Sequence, residues 1–387
     1  MTDLILLCVS LLIWGIGEGM FFIFQPIYLQ ELGADTMAIA GIFSAFGIAM
    51  MTAHVPAGYL ADRIGRKPLL VAAWTSGLLA AWVMALARSL PVFVAGMLLY
   101  GLTAFVSSPL NSYVTAASGR FSLARAITLV SAAFNLGAVL GPLAGGWLAD
   151  RFGLQSIYLA AAGLFIPSTG ILFFLRSQPR EDHHPDASAA RLLRNRRFLG
   201  LVAIALTATF VMYLPQPLTP RFLANERGLS LASIGLLGSV GSLGNTLLNL
   251  VLGHFAARTG FLLSEVCVAG FALLLWKGTG LGWYGLAYFL LGGFRTYRSL
   301  IYAQIRPLIR PAQMGLAYGI AETFNSLAIV LAPLLAGAVY TRDPLLVYPL
   351  SLGLVALAVI VSAIGTPRER VTPNEEAAPM VSLPPEV

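Results

Sequence analysis

The chain has 387 residues, of which 58% are hydrophobic and only 11% are charged, and its mean hydropathy is +0.81. Roughly a quarter of the residues in a soluble domain are charged, so this composition excludes a water-soluble protein and predicts one that crosses a membrane many times. The net charge of +7 does not indicate nucleic acid, because the basic residues lie between apolar runs. Cys8 and Cys267 lie inside such runs, which argues against a disulfide.

Twelve apolar runs follow one another, each near the length of about 20 residues that crosses a bilayer as a helix. They are numbered here as spans one to twelve, at 4–29, 36–57, 68–88, 91–116, 123–148, 154–175, 198–220, 229–253, 261–281, 283–305, 314–340 and 345–365. The N-terminus lacks a basic n-region and an A-x-A cleavage site, so we expect the first apolar run to remain as a span.

Basic residues are distributed unevenly between the two sets of loops. With the N-terminus inside, 16 of the 24 Lys and Arg residues fall on the cytoplasmic side and six fall outside. The remaining two, Arg295 and Arg298, lie within span ten. This asymmetry predicts a multi-pass protein of the plasma (inner) membrane with both termini in the cytoplasm.

The loop between spans two and three carries a motif with one acid, three bases and two glycines, which are Gly58, Asp62, Arg63, Gly65, Arg66 and Lys67. Such a cluster suits a tight turn. The stretch resembles the signature loop of the major facilitator superfamily, G-x-L-A-D-R-x-G-R-K, at all eight specified positions. The resemblance covers the whole chain and implies an all-α membrane protein of twelve transmembrane helices in two pseudo-symmetric six-helix bundles with alternating access.

Asp62 is the candidate gating residue of this motif. A carboxylate is stabilised at the positive N-terminus of a helix. We therefore expect Asp62 to cap the cytoplasmic end of span eleven and to help close the inner gate.

The two halves of the chain repeat one another at an offset of 191 residues. The matching pairs are Gln25-Pro26 with Gln216-Pro217, Gly101 with Gly292, and residues 140–143 with 331–334. Internal repeats are how transporters build two bundles around a central site. We expect an N-terminal bundle at 1–175, a cytoplasmic linker at 176–197, a C-terminal bundle at 198–366 and a disordered tail at 367–387. His183 and His184 lie among acids in the linker, but no ligand spacing there supports a closed metal site.

Span five contains a second motif of small residues and one proline, namely Gly137, Gly141, Pro142, Gly145 and Gly146. Glycines at these spacings form a smooth helix face for close packing, and the proline kinks the helix. The pattern resembles the fifth-helix motif of the drug-exporting, proton-antiporting branch of the superfamily. That branch carries an arginine in span four where this chain has Met97, so a charge that couples transport must lie elsewhere.

Four ionisable side chains at membrane depth are candidates: Glu18, Arg295, Arg298 and Glu322. Each is a candidate functional residue, since such a charge costs several kcal/mol unless it faces a cavity or a partner. The resemblance places spans one, four, seven and ten around the central cavity. This makes Glu18, flanked by glycines that leave room for water or substrate, the first candidate for proton coupling, with Glu322 as the second. Depth along their helices predicts that Arg298 and Glu322 meet, either as a functional pair or as a structural brace.

The candidate substrate-binding residues are Arg295, Arg298, Gln25, Gln216, Tyr213 and Asn111. A secondary transporter accounts for the repeats, both motifs and the charges within the spans. An enzyme is not expected, because H-E-x-x-H, G-x-S-x-G and P-loop patterns are absent. A non-transporting receptor or scaffold is a third class, although it would need neither Asp62 nor charges at membrane depth.

We expect a proton-coupled exporter of hydrophobic or drug-like compounds, and the alternative is a carrier of organic anions that binds through Arg295 and Arg298. The expected partners are a small-molecule substrate, the proton and the lipid bilayer. We expect a monomer, with no nucleic acid, cofactor or metal.

Overall fold

The computed structural model describes residues 2–117, 121–178, 192, 194–309 and 314–366, without the side chains of 54–64, 107–108, 116, 123–124 and 314–316. These ranges contain helices and short turns and no strand. Most of the predicted linker and the whole predicted tail lie outside them. The domain boundaries therefore stay predictions.

Eight helices form the N-terminal half of the described chain. They are α1 (Thr2–Phe22), α2 (Gln25–Glu31), α3 (Thr36–Ile64), α4 (Arg66–Leu86), α5 (Leu90–Leu102), α6 (Ser107–Ala117), α7 (Leu123–Phe152) and α8 (Leu154–Phe173). A 3₁₀ turn, Thr103–Val106, joins α5 to α6 within span four. Span one is divided after Phe22, and Pro26 lies in the first turn of α2, where its missing N–H leaves no helical hydrogen bond unmade.

Eight further helices form the C-terminal half. They are α9 (Arg196–Tyr213), α10 (Thr219–Asn225), α11 (Leu231–Leu252), α12 (Ala257–Lys277), α13 (Leu281–Leu291), α14 (Gly293–Ile305), α15 (Met314–Arg342) and α16 (Val347–Gly365). Eleven of the apolar segments in the described ranges are long enough to cross a membrane. The twelfth crossing, span ten, is divided at Gly292 into α13 and α14, so neither piece spans alone. A Cβ on Gly292 would meet the backbone of Gly244 and Asn245 in α11, which explains why a glycine occupies this break.

The signature motif differs from the loop that was predicted. The backbone stays helical through Ile64, and the reversal takes one residue, Gly65, at φ 93° and ψ 163°. Glycine adopts this conformation without a Cβ clash, so α4 begins directly at Arg66. Lys67 Nζ then donates to the carbonyl oxygen of Phe173, the last residue of α8, at 3.1 Å.

Helix α8 runs from one end of the molecule to the other, and its two ends define the names used below. Its C-terminal end, at Phe173, contacts Lys67 just after Gly65, and this end is called the motif end. Its N-terminal end, just after Gly153, is called the far end. Hydrogen bonds link the two halves near the far end, from Ser44 Oγ to the carbonyl oxygen of Val330 at 2.6 Å and from Arg221 Nη1 to Thr36 Oγ1 at 2.7 Å. The described conformation is closed at the far end.

Candidate functional site at the centre of the two halves

Two cavities lie between the halves and share part of their lining. The smaller, of about 220 Å³, reaches toward the far end, and the larger, of about 550 Å³, extends toward the motif end. Glu18, Phe22, Phe134 and Arg295 border both cavities. The candidate site is therefore one central region with an acid on α1, a base on α14 and aromatic rings between them.

Helix α1 holds Glu18 in place by close packing against its neighbours. A Cβ on Gly19 would lie 2.9 Å from Pro142 Cδ of α7, and one on Gly17 would lie 2.6 Å from the ring of Phe165 on α8. The expectation that the flanking glycines leave open space for substrate is therefore wrong for Gly17. At that position the glycine lets α1 approach α8.

Tyr100 is the direct partner of Glu18. Its hydroxyl donates to Glu18 Oε2 at 2.8 Å and accepts from Trp14 Nε1 at 3.2 Å. Trp14 in turn stacks on Phe165, with ring centroids 3.8 Å apart and planes 4° from parallel. The acid is held at the end of a chain of aromatic side chains that links α1, α5 and α8.

Tyr100 and Trp14 are not among the site residues predicted from the sequence. Both border the larger cavity. Trp14 lies four residues before Glu18 on the same face of α1, which is a signal that the sequence did offer. Tyr100, by contrast, carries no sign of whether it faces lipid, protein or a cavity. Tyr100 lies three residues after Met97, the position at which the drug-exporting branch carries its arginine. About one helical turn therefore separates Met97 from Tyr100, the residue that contacts Glu18.

Arg295 and Arg298 have different surroundings. Arg295 is exposed and borders both cavities. Arg298 borders the larger cavity and forms the predicted ion pair with Glu322, from Nε to Oε1 at 2.6 Å and from Nη2 to Oε2. The meeting of Arg298 and Glu322 is thereby confirmed, while their roles stay untested. Glu322 is not among the residues that border either cavity.

Three of the other predicted substrate ligands border one cavity or the other. Tyr213 and Gln216 border the smaller one, and Gln216 Nε2 donates to the carbonyl oxygen of Met212 at 2.7 Å. Asn111 borders the larger one. Gln25 is fully buried beside neither cavity, and its amide has no hydrogen-bond partner among the described residues.

The glycines of the fifth-span motif face two different helices. Cβ atoms on Gly137, Gly141 and Gly145 would collide with the backbone of α1, inside the N-terminal half. A Cβ on Gly146 would instead meet Leu231 and Ala232 of α11 in the other half. Pro142 lies between these faces and borders the smaller cavity. In the signature motif, the side chains of Asp62 and Arg63 lie outside the described part, as does the expected Asp62 cap.

We expect the pair of Arg298 and Glu322 to contribute modestly to stability. The Arg298 side chain is 51% exposed and that of Glu322 is 20% exposed, so solvent screens the pair and about 1 kcal/mol or less is expected. Thermal unfolding of Arg298→Ala, Glu322→Ala and the double variant measures the coupling. A double variant that loses as much stability as the two single variants together would show that the pair is no brace.

Comparison with known proteins agrees with this architecture. The profile of the Major Facilitator Superfamily matches residues 7–297. Multidrug resistance protein 1 of Bacillus subtilis (strain 168) is 22% identical over 377 residues, which cover 92% of this chain and 94% of that protein. The class C tetracycline resistance protein of Escherichia coli is 26% identical over 361 residues, covering 85% and 87%. The crystal structure of the nucleoside transporter NupG superposes with a TM-score of 0.78 at 15% identity, covering 94% and 99%.

The fold and the central cavities define a multi-pass membrane transporter built from two helical bundles. The chain belongs to the major facilitator superfamily. Members of this family are transporters of small molecules and not enzymes.

Proposed function

We propose that this protein is a secondary active transporter that exports hydrophobic or drug-like compounds in exchange for protons. The observation that carries the proposal is the position of Glu18, a carboxyl group that borders both cavities between the halves. Phe22 and Phe134 border the same space, and a mostly apolar pocket with few polar groups suits a mainly apolar ligand. The relatives named for multidrug and tetracycline resistance support this substrate class.

Glu18 is the proposed carrier of the proton. The Tyr100 hydroxyl donates to Glu18 Oε2, and both the ionised and the protonated carboxyl group can accept that hydrogen bond. The acid can therefore change its protonation state without losing its neighbour. Glu322 is the weaker candidate, because Arg298 binds both of its oxygens.

A carrier of organic anions is the second candidate function, and Arg295 is the observation that favours it. This guanidinium is exposed and borders both cavities, whereas that of Arg298 is engaged by Glu322. Arg295 is thus the better placed of the two bases to bind a carboxylate or another anionic group on a substrate.

We further propose that the protein lies in the plasma membrane as a monomer with both termini in the cytoplasm. The distribution of basic residues along the sequence supports this orientation. The motif end then faces the cytoplasm, and the described conformation is closed to the outside. Asp62 is the proposed gating residue for the opposite conformation.

The test is a thermal-shift screen on the purified protein, followed by uptake into proteoliposomes with and without an imposed pH gradient. Lipophilic cations or neutral apolar drugs should raise the melting temperature, and the pH gradient should drive their uptake. Stabilisation mainly by organic anions that is lost in Arg295→Gln would favour the second candidate. An uptake rate that is the same with and without the pH gradient would contradict proton coupling for either substrate class.

A further inference from the structure

The far end of the N-terminal half repeats the signature motif. Residues 146–153 read GWLADRFG and residues 58–65 read GYLADRIG, so six of the eight positions are identical and the other two exchange one aromatic and one apolar residue. The offset of 88 residues differs from the offset of 191 residues that relates the two halves. This second copy therefore belongs to a repeat within the N-terminal half.

The two copies also share a backbone geometry. Gly65 ends α3 at φ 93° and ψ 163°, and Gly153 ends α7 at φ 80° and ψ 164°. In both cases the next helix begins at the following residue. These glycines lie at opposite ends of α8, so the same helix corner, with an acid three residues before its glycine, occurs at both ends of the molecule.

The acid of the far-end copy is Asp150, and it binds across the interface between the halves. Asp150 Oδ1 accepts from the backbone N–H of Leu231 at 2.9 Å, and Oδ2 accepts from that of Ala232 at 3.0 Å. These are the first two residues of α11. The first amides of a helix have no partner within it and carry its positive end. A carboxylate of one half thus caps a helix of the other half.

Helix packing around Asp150 is built for this approach. Gly146 lies one turn earlier on α7, and a Cβ there would be 3.0 Å from Ala232 Cα and would meet the carbonyl oxygen of Leu231. The N-terminus of α11 also has an ordinary cap from its own chain, since Ser230 Oγ accepts from the backbone N–H of Ser233 at 3.2 Å. Asp150 is therefore an additional cap, and it is the one that depends on the two halves being together.

The helices that correspond to this arrangement at the motif end are α3 and α15. Helices α3 and α15 pack antiparallel, because Ala40 contacts the position of Gly337 while Gly47 contacts Val330 further along. Continuing this register brings the end of α3, where the first copy lies, to the start of α15.

We propose that Asp150 is the latch of the far-end gate and the counterpart of Asp62 at the motif end. The bond from Asp150 to the first amides of α11 stabilises the conformation closed at the far end and breaks when the halves separate there. Asp150 acts through the position of α11 and does not touch the substrate.

The proposal rests on the proposed function only in requiring two conformations, so it is tested without substrate and without a pH gradient. The full chain, with Cys8→Ala and Cys267→Ala, is spin-labelled at Ser89→Cys and Thr279→Cys for the far end. A second pair, Ser177→Cys and Ala256→Cys, reports the motif end. All four positions are exposed in the structure. Ser89 lies in the N-terminal half, Ser177 follows the last helix of that half, and Ala256 and Thr279 lie in the C-terminal half.

Double electron–electron resonance then gives the fraction of molecules in which the far end is open. We expect Asp150→Ala to raise this fraction roughly threefold or more, because a balanced equilibrium responds strongly to the loss of one cap. The motif-end pair should move closer together in the same samples. Asp150→Asn keeps the shape of the side chain without its charge, so it should give a smaller shift and decides the matter if the alanine variant does not fold.

Ser230→Ala is the matched control, because it removes the other cap of the same helix but no bond between the halves. It should lower the melting temperature and leave both distance distributions unchanged. Two results overturn the latch: unchanged far-end distances in both Asp150 variants, or an equal shift in Ser230→Ala. The second would show that fraying of α11, rather than a bond between the halves, opens the far end.

Discussion

Replacing Glu18 by glutamine is expected to abolish transport driven by a pH gradient while substrate binding stays within about threefold of the unmodified protein. The amide has nearly the shape of the carboxyl group, and its oxygen can still accept the hydrogen bond that Tyr100 donates. It cannot take up or release a proton. The measurement is proteoliposome uptake with and without an imposed gradient, together with a binding titration on the same preparation.

Glu322→Gln is the matched control for this experiment. It makes the same chemical change at the second candidate acid, which is paired with Arg298 and borders neither cavity. It should keep gradient-driven uptake. If Glu18→Gln keeps full gradient-driven uptake and Glu322→Gln loses it, the proton site is Glu322 in the C-terminal half and not Glu18. Tyr100→Phe is informative as well, because it removes the donor and leaves the acid in place.

The overall fold was predictable because its determinants are local. Runs of about 20 apolar residues define membrane crossings whatever their neighbours are. Glycine at a helix end marks a reversal, as at Gly65. Span ten shows the limit, since its break at Gly292 arises from close contact with α11. A contact between distant segments leaves little trace in the run of apolar residues around it.

The central site was predictable in its charges and not in its aromatic partners. Charged residues in a span are rare and costly, which is why Glu18 and Arg295 stand out in the amino-acid sequence. Tyr100 is apolar enough to lie anywhere in a span, and only the contact between α5 and α1 brings it to Glu18, whereas Trp14 lies four residues before Glu18 on the same face of α1. Gln25 shows the reverse case, a polar residue beside a helix break whose side chain is buried away from both cavities.

The described conformation also separates the two arginines that the sequence could not distinguish. Arg295 and Arg298 lie three residues apart on α14 and share a face. Arg298 pairs with Glu322, while Arg295, one turn earlier, borders both cavities as Glu18 does. Arg295 is therefore the residue to test when the proposed drug-like substrate is compared with an anionic one.

Adding a methyl group at Gly141 or Gly146 is expected to produce two different defects. In Gly141→Ala the new Cβ lies 2.8 Å from Gly19 Cα and meets the carbonyl oxygen of Ile16, both in the backbone of α1. A helix backbone cannot yield as a side chain can, so overpacking should cost about 1–3 kcal/mol of stability. Because the strain falls within the N-terminal half, the melting temperature should drop and gradient-driven uptake should fall with it.

In Gly146→Ala the new Cβ presses on α11 of the other half, 3.1 Å from Gly235 Cα. The halves can relieve this strain by separating at the far end, so we expect a smaller loss of melting temperature and a larger fraction of molecules open there. Gly163→Ala on α8 is the control, because a Cβ there has no described atom within 4 Å and alanine favours helix. The same unfolding and spin-label measurements compare all three variants.

Equal melting temperatures for Gly141→Ala and Gly163→Ala would contradict the tight contact of α7 with α1. An unchanged far end in Gly146→Ala would show that the contact of α7 with α11 does not control opening.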